Sequence, residues 1–450
     1  MKRKNQILII TCLIIGVSIF SGCVEQETSP PEKDIEEISR DATIYLSNGN
    51  YTDVYNLFNS EMKAALSVQQ LEEVWDGVIG QYGEFKGIVD TRTENDSDYD
   101  LVFVTCNFSS QGYFDIKFVF DSKKQIWGLW FVETDRSDEY KTPSYANTDL
   151  FDEEEVIIGQ QPWQLPGTLS LPKGQGPFPA VVLVHGSGPN DRDETIGPNK
   201  PFKDIAWGLA SNGYAVLRYD KRTKHYQNEM TQLTNLTAEE EVIDDAIFAI
   251  SYLKNHEDID SDKIYLIGHS LGAMMAPKIA EQEPQLGGVI LLAAPARNLE
   301  DLWLEQTIYL SSLDGEIDEN ESIIINITKQ HVEKIKNLTI QEGEVILGAF
   351  KAYWEYLSTY DQVATAKNLS LAMFFLQGER DYQVTMEDFS LWQTAMATKE
   401  NVTMKSYATL NHLFMSGSGT PTSEEYLSFK NVEEEVIEDI VAWMANYEIE

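Results

Sequence analysis

The sequence predicts an α/β fold on a largely parallel sheet, preceded by a smaller α+β domain. Three observations carry this. From about residue 153 onward, short apolar runs alternate with helix-like stretches, the order that yields a parallel sheet covered on both faces. One of those runs, Ile264-Tyr265-Leu266-Ile267, leads straight into Gly268-His269-Ser270-Leu271-Gly272 and then into a helix-like stretch from Ala273 to Glu281. Residues 34–135 instead place their helices first and their strands second, which argues for a separate domain of another class.

The chain opens with a basic start, Met1-Lys2-Arg3-Lys4, followed by a mostly apolar run from Ile7 to Phe20 and then Ser21-Gly22-Cys23. The run is short for a membrane span and fits an export signal over residues 1–22. Residues 23–33 are a polar, Pro/Ser/Thr-containing tether. The small domain follows, with helices expected over Ile35 to Leu46, Tyr51 to Phe58 and Val68 to Ile79. Strands are expected around Phe85-Val89, Leu101-Val104, Gly112-Phe120 and Ile126-Val132, folding into a curved, cone-like antiparallel sheet. It holds no catalytic constellation. The polar, Pro-containing residues 136–152 read as a linker, and the large domain occupies 153–450.

In the large domain, Val156-Ile158 and Gly167-Leu171 open as an antiparallel pair. Ala180-Val184 is the first parallel strand, and Phe202 to Ser211 is a helix closed by Asn212-Gly213. Tyr214-Leu217 is the next strand. Thr237 starts a long helix to about Asn255, with acids in its first turn and Val242, Ile243, Ala246, Ile250 and Leu253 on one face. Gly288-Leu292 and Leu371-Leu376 are further buried strands, Val402-Tyr407 is the last, and Val432 to Tyr447 is the closing helix. The alternation breaks between Pro295 and Asn368. Three helical stretches rich in aromatics (Trp303, Tyr309, Tyr353, Trp354, Tyr356, Tyr360) predict a helical cap over about 296–368.

The Gly-x-Ser-x-Gly between strand and helix is the context of a nucleophile elbow. A serine hydroxyl needs a base in contact, and the base needs an acid to hold its tautomer. The expected order is Ser, then Asp or Glu, then His. Ser270 is the nucleophile candidate. The strand ending in Gln377-Gly378-Glu379-Arg380-Asp381 offers two acids. Asp381 is preferred because Gly-x-x-Asp turns the chain once before presenting a short carboxylate, and Glu379 reads as a solvated loop residue. Of six histidines, His412 alone follows a strand downstream of the acid. His269, inside the elbow, is expected to point away from the site. Backbone N–H groups of Leu271 and of Gly186 or Ser187 are expected to meet a developing oxyanion.

Residues from about 155 to 450 resemble an α/β-hydrolase. His185-Gly186-Ser187-Gly188-Pro189-Asn190-Asp191-Arg192-Asp193, Arg218-Tyr219-Asp220-Lys221-Arg222 and Leu376-Gln377-Gly378-Glu379-Arg380-Asp381-Tyr382 are similar to the carboxylesterase branch related to serine aminopeptidases and dienelactone hydrolase. The small domain resembles the nuclear-transport-factor-like domain of unknown function that precedes such hydrolases. Gly22-Cys23 resembles a prokaryotic lipoprotein signal, which implies lipid on Cys23 and attachment to the outer face of the cell membrane. In this fold the cap lies over the site. Asp193, Asp220 and Arg222 are not needed by the triad chemistry and are expected to brace loops.

Net charge is −39, with 34 basic and 73 acidic residues; loss of residues 1–22 removes three bases and no acid, giving −42. A polyanion of this size argues against nucleic acid as a partner. Beyond Cys12 and Cys23 only Cys106 remains, so the mature chain has no intramolecular disulfide. The spacing implies no metal site, and the chemistry needs no cofactor. The expected activity is hydrolysis of a small-molecule carboxylic ester through an acyl-enzyme. A serine peptidase or aminopeptidase, or an acyltransferase, would use the same three residues, and a binding lipoprotein that has lost activity is the alternative of another class.

Overall fold

Strand register in the larger part of the chain brings the ends of six parallel strands to one rim, where the candidate site lies. The computed structural model describes residues 33–96, 99–108, 112–134 and 140–447. The proposed signal, Cys23 and all of the tether except Lys33 lie outside the described residues. Two compact units emerge, Met1–Asp135 and Arg136–Glu450.

In the first unit, helices Ile35–Ser47, Tyr51–Leu57, Ser60–Ala65 and Val68–Tyr82 precede a four-stranded antiparallel sheet. Its strands are β1 (Phe85–Asp96), β2 (Tyr99–Phe108), β3 (Gly112–Phe120) and β4 (Ile126–Glu133), in that spatial order. Asp34 caps the first helix through Glu37 N at 2.8 Å, and Ser67 with Gln70 forms a capping box on the fourth. Trp75 packs against Phe85, Phe108 and Phe131. The helix Ser60–Ala65 was not expected from the sequence; one and a half turns with no buried residue leave no apolar period to read. Cys106, the one cysteine among the described residues, is buried, and burial pushes its thiol up to about 12.

The second unit is built on an eight-stranded sheet. Its strands are β5 (Phe151–Ile158), β6 (Leu165–Pro172), β7 (Phe178–Val184), β8 (Ala215–Tyr219), β9 (Ile259–His269), β10 (Gly288–Leu292), β13 (Met373–Gly378) and β14 (Val402–Tyr407), with a two-residue hairpin, β11 (Val345–Ile346) and β12 (Ala349–Phe350), in the cap. The spatial order is β14-β13-β10-β9-β7-β8-β6-β5. β5 and β6 are antiparallel to each other, and β6 is antiparallel to β8; the other pairs are parallel. Alternation sorts the side chains. Val182, Val184 and Leu266 join one core, while Val181, Leu183, Tyr265 and Ile267 join the other. Pairing of Val184 with Gly268, Leu292 with His269, and Gly378 with Tyr407 sets the carboxyl ends level.

Three readings of the sequence are corrected. The helix expected from Thr237 begins as a wide π turn, Glu239–Asp244, before the α-helix Asp245–Lys254; its apolar face stays buried, so the spacing reads as one helix. The cap has four helices, Leu299–Ser311, Glu319–Lys336, Lys351–Ser358 and Gln362–Asn368, and the β11–β12 hairpin, whose strands are too short for alternation to show. The expected linker, over its described residues 140–152, belongs to the second unit: irregular chain to Asn147, a 3-10 turn at Thr148–Leu150 and the first two residues of β5. Tyr140 donates to Asp204 at 2.8 Å, Tyr145 to Val432 O at 2.9 Å, and Asn147 N to Ser211 Oγ at 2.8 Å. Polar composition marks loop, but two tyrosines give that loop something to bury.

Asp204, on the helix Pro201–Ser211, is the hub of this anchoring and also accepts from Asn431 and from Val432 N. Burial pushes its carboxyl up to about 7, against the bonds it accepts. The folded unit therefore keeps a proton that the unfolded chain releases at about pH 4. That contribution is complete below about pH 4 and is lost as pH rises through about 7. In urea unfolding, the stability difference between wild type and Asp204→Asn is expected to move toward the variant by on the order of 2–4 kcal/mol between about pH 4.5 and 8.5. A difference independent of pH would show that this carboxyl titrates like an exposed one.

Candidate active site

β9 ends at His269, and the helix Leu271–Gln282 begins two residues later, with only Ser270 between them. The chain turns between them at Ser270, whose φ of 51° and ψ of −116° are strained for a residue with a Cβ. The two flanking glycines are required by contact. A Cβ on Gly268 would sit 2.4 Å from Gly272 O, and one on Gly272 would sit 2.1 Å from Val184 O. Ser270 N donates to Leu292 O, and Met274 N to Ser270 O, each at 2.9 Å. The serine is thereby fixed at the tip between β7 and β10.

The loop after β13 presents Asp381, 5% exposed. Its Oδ1 accepts from Gln383 N at 2.8 Å and Val384 N at 3.0 Å. Its Oδ2 lies 2.6 Å from His412 Nδ1 and accepts from Gln377 Nε2 at 3.2 Å. A carboxylate at Nδ1 places the imidazole hydrogen there and leaves Nε2 as the acceptor. Glu379 instead accepts from Ser406 Oγ at 2.7 Å. His412 stands on the loop after β14, whose turn is pinned by Asn411 Oδ1 accepting from Leu413 N and Met415 N. Ser270 and His412 line one cavity of about 120 Å³ with Gly186, Ser187 and His269. They make no hydrogen bond to each other in this resting geometry; such contacts are often long before substrate arrives.

Two expectations change here. Gly186 N–H does not face an empty site: it donates to Glu194 Oε1 at 2.6 Å. The N–H groups left for an oxyanion are therefore those of Leu271, at the first position of its helix, and Ser187. His269 does not point away. Its Nδ1 lies 2.9 Å from Glu194 Oε2, its Nε2 donates to His412 O at 3.0 Å, and its ring centroid is 4.7 Å from that of His412. The approach to Glu194 Oε2 is too poorly aligned for a hydrogen bond, so the attraction is chiefly between charges. Burial, the largest single influence, pulls the His269 imidazole down, but the Glu194 carboxylate, the His412 carbonyl and the Asp381 charge together outweigh it and the net shift is upward. Burial pushes Glu194 up, yet His269, His185 and the Gly186 N–H together hold it below the usual carboxylate range. Burial pulls His185 down to about 4, against the more distant charge of Glu194 and aided by the Lys221 ammonium, hence neutral.

Asp193, Asp220 and Arg222 all brace loops. Asp193 pairs with Arg218 and with Lys200 at 3.2 Å, Asp220 with Arg192 at 3.0 Å, and Arg222 with Asp245 at 2.8 Å. Sequence reasoning missed Glu194, Lys221 and Glu241, all buried. The available signal was that Lys221 lies inside the motif Arg218–Arg222 and Glu194 directly follows the motif His185–Asp193; Glu241 lies in neither. The cavity walls are Ile196, Pro295, Leu299, Leu302, Trp303 and Val384, with Gln306 donating to Gln383 O at 3.0 Å. Of the cap aromatics, Trp303 lines the cavity; Tyr309 stacks on Tyr382, Trp354 donates to Ile346 O and Tyr360 to Met274 O. A larger hollow of about 370 Å³ lies along the end of β5, between Ile157 and His256, and contains none of these groups. Among the described residues, no cluster of three or more His, Cys, Asp or Glu is placed to hold a metal ion.

Residues 41–129 match a family described as a protein of unknown function, DUF3887. The chain is 40% identical over 400 residues to Esterase EstD of Thermotoga maritima, spanning 89% of this chain and 93% of that one. Among solved structures it is similar to Est1E from Butyrivibrio proteoclasticus (15% identity, 66% of this chain and 99% of that one, TM-score 0.44). It is also similar to the Pyrococcus furiosus esterase PF2001 (16%, 68% and 96%, TM-score 0.42). Residues 176–417, which hold Ser270, Asp381 and His412, match the family described as serine aminopeptidase, S33. With that match over half its length and a relative at 40% identity, the chain belongs to the serine aminopeptidase S33 family of α/β-hydrolases.

Proposed function

We propose that the chain is a serine esterase that works through an acyl-enzyme, exported and held at the membrane by lipid on Cys23. Ester hydrolysis follows from the family and from the relative at 40% identity. The single observation that carries the mechanism is the 2.6 Å contact of His412 Nδ1 with Asp381, in the cavity that Ser270 enters from a strained turn. Ser270 Oγ attacks the ester carbonyl while His412 Nε2 takes its proton. Asp381 holds the tautomer and stabilises the imidazolium. The N–H groups of Leu271 and Ser187 meet the oxyanion. His412 returns the proton to the leaving alcohol, then activates the water that frees the acid. Among the described residues Glu194 is the single carboxylate lining the cavity, and it is engaged by Gly186 and His269, which favours an ester over a substrate bound by its ammonium.

Hydrolysis of p-nitrophenyl acetate is expected to disappear in Ser270→Ala, and Asp381→Asn is expected to lower kcat by about 10³–10⁴ with little change in stability. Turnover that survives Ser270→Ala would end the reading. A cavity of about 120 Å³ is well below the roughly 300–1,000 Å³ of drug-sized pockets, and its walls are mostly apolar, so short acyl groups fit. Along a p-nitrophenyl series, kcat/KM is expected to fall at least about tenfold from butyrate to laurate, with Trp303→Ala narrowing the gap; a flat profile would contradict it. For the anchor, metabolic labelling with a radioactive fatty acid is expected to mark the wild type and not Cys23→Ala, and the variant is expected to leave the membrane fraction.

A further inference from the structure

The peptide group between Gly186 and Ser187 is held by a buried cation. Gly186 O accepts from Lys221 Nζ at 2.9 Å and from Asn190 Nδ2 at 3.2 Å. Lys221 is 2% exposed, and its ammonium also lies 2.9 Å from Glu241 Oε1. Thr223 Oγ1 donates to the same carboxylate at 3.4 Å, and burial together with the charge of Glu241 holds the phenol of Tyr353, on the cap helix Lys351–Ser358, well above its usual range. A buried ion pair is a poor source of stability, because desolvation offsets most of the attraction and an apolar pair of similar size often does as well. Its position calls for another account.

The Gly186–Ser187 bond is trans, so the carbonyl oxygen of Gly186 and the N–H of Ser187 point in opposite directions within one plane. Fixing the oxygen toward Lys221 fixes the N–H away from it. Ser187 lines the cavity, and a Cβ on Gly186 would lie 3.2 Å from Ser270 Cβ, so this peptide stands directly beside the serine. A cation on the carbonyl oxygen also draws electron density from the nitrogen and strengthens the N–H as a donor, as in any polarised chain of hydrogen bonds. Glu194 holds the preceding N–H, that of Gly186, so the peptides on both sides of this α-carbon are prevented from turning.

We propose that Lys221 is a positioning residue for ester hydrolysis, orienting and polarising the Ser187 N–H through the Gly186 carbonyl so that it is aimed at the oxyanion before substrate binds. The proposal rests on the Ser270 esterase reading. Its test compares wild type, Ser270→Ala, Lys221→Met and the double variant Lys221→Met with Glu241→Gln, which leaves no unpaired buried carboxylate if the single variant proves unstable. With p-nitrophenyl acetate the double variant is expected to melt near wild type, to lose about tenfold to hundredfold in kcat and to keep KM within about twofold. Its affinity for a short alkylboronic acid, whose tetrahedral adduct on Ser270 places an oxygen in the oxyanion position, is expected to fall by the same factor as kcat/KM. A folded double variant with wild-type kcat would overturn the proposal. So would a loss of kcat that tracks a fall in melting temperature while boronate affinity is unchanged. Wild-type turnover independent of Ser270 would remove the esterase reading and this proposal together, an outcome told apart by the Ser270→Ala arm.

Discussion

The site depends on one close approach of backbone to backbone. The first turn of the helix Leu271–Gln282 lies so near the end of β7 that the place of a Cβ on Gly272 is 2.1 Å from Val184 O. That approach does two things. It forces the turn at Ser270 into its positive-φ conformation, and it brings the start of the helix against the loop that follows β7, where His185, Gly186 and Ser187 stand. The proposed nucleophile and oxyanion donors are thus set by the packing of main chain, which moves less than side chains. The strain at Ser270, of order 1–3 kcal/mol, is carried by the buried strands on either side.

Around this contact the protein buries charge in opposed pairs. Arg218, Lys221 and Arg222 lie in or just after β8, and each meets an acid: Asp193, Glu241 and Asp245. A chain with 73 acidic and 34 basic residues spends three of its few cations in one short stretch. Their targets are the loop after β7 and the helical segment Glu239–Lys254, which flank the site. Pairs of this kind add little net stability, but they punish misplacement severely, since either charge left alone in the interior is strongly unfavourable. The arrangement trades stability for a single geometry of the loops.

The strands and the three residues Ser270, Asp381 and His412 were legible in the sequence because each lies at a strand end, where a run of apolar residues stops and a polar turn begins. Period and punctuation are local signals. Glu194, Lys221 and Glu241 were not legible, because what distinguishes them is a partner reached through space: Glu194 meets His269 on another strand's end, and Lys221 meets a carbonyl 35 residues earlier. In a sequence, a buried acid and a solvated one look alike. His269 was misread for the same reason. A residue beside the nucleophile on a strand should alternate to the far face, but β9 ends there, and the imidazole is drawn in by Glu194 and by His412 O.

The tyrosines ahead of β5 bear on where the larger unit may be cut. Tyr140 and Tyr145 supply a hydroxyl to Asp204 and to Val432 O, and Tyr140 also packs edge-on against Trp207 and Phe429. A fragment begun at residue 153, where the apolar alternation sets in, would strip these rings away. It would expose a carboxyl built to be dry and take from the segment leading to the closing helix Glu434–Tyr447 its ties to Tyr145 and Lys141, leaving those to Asp204. Isolating that half intact means starting upstream of residue 140.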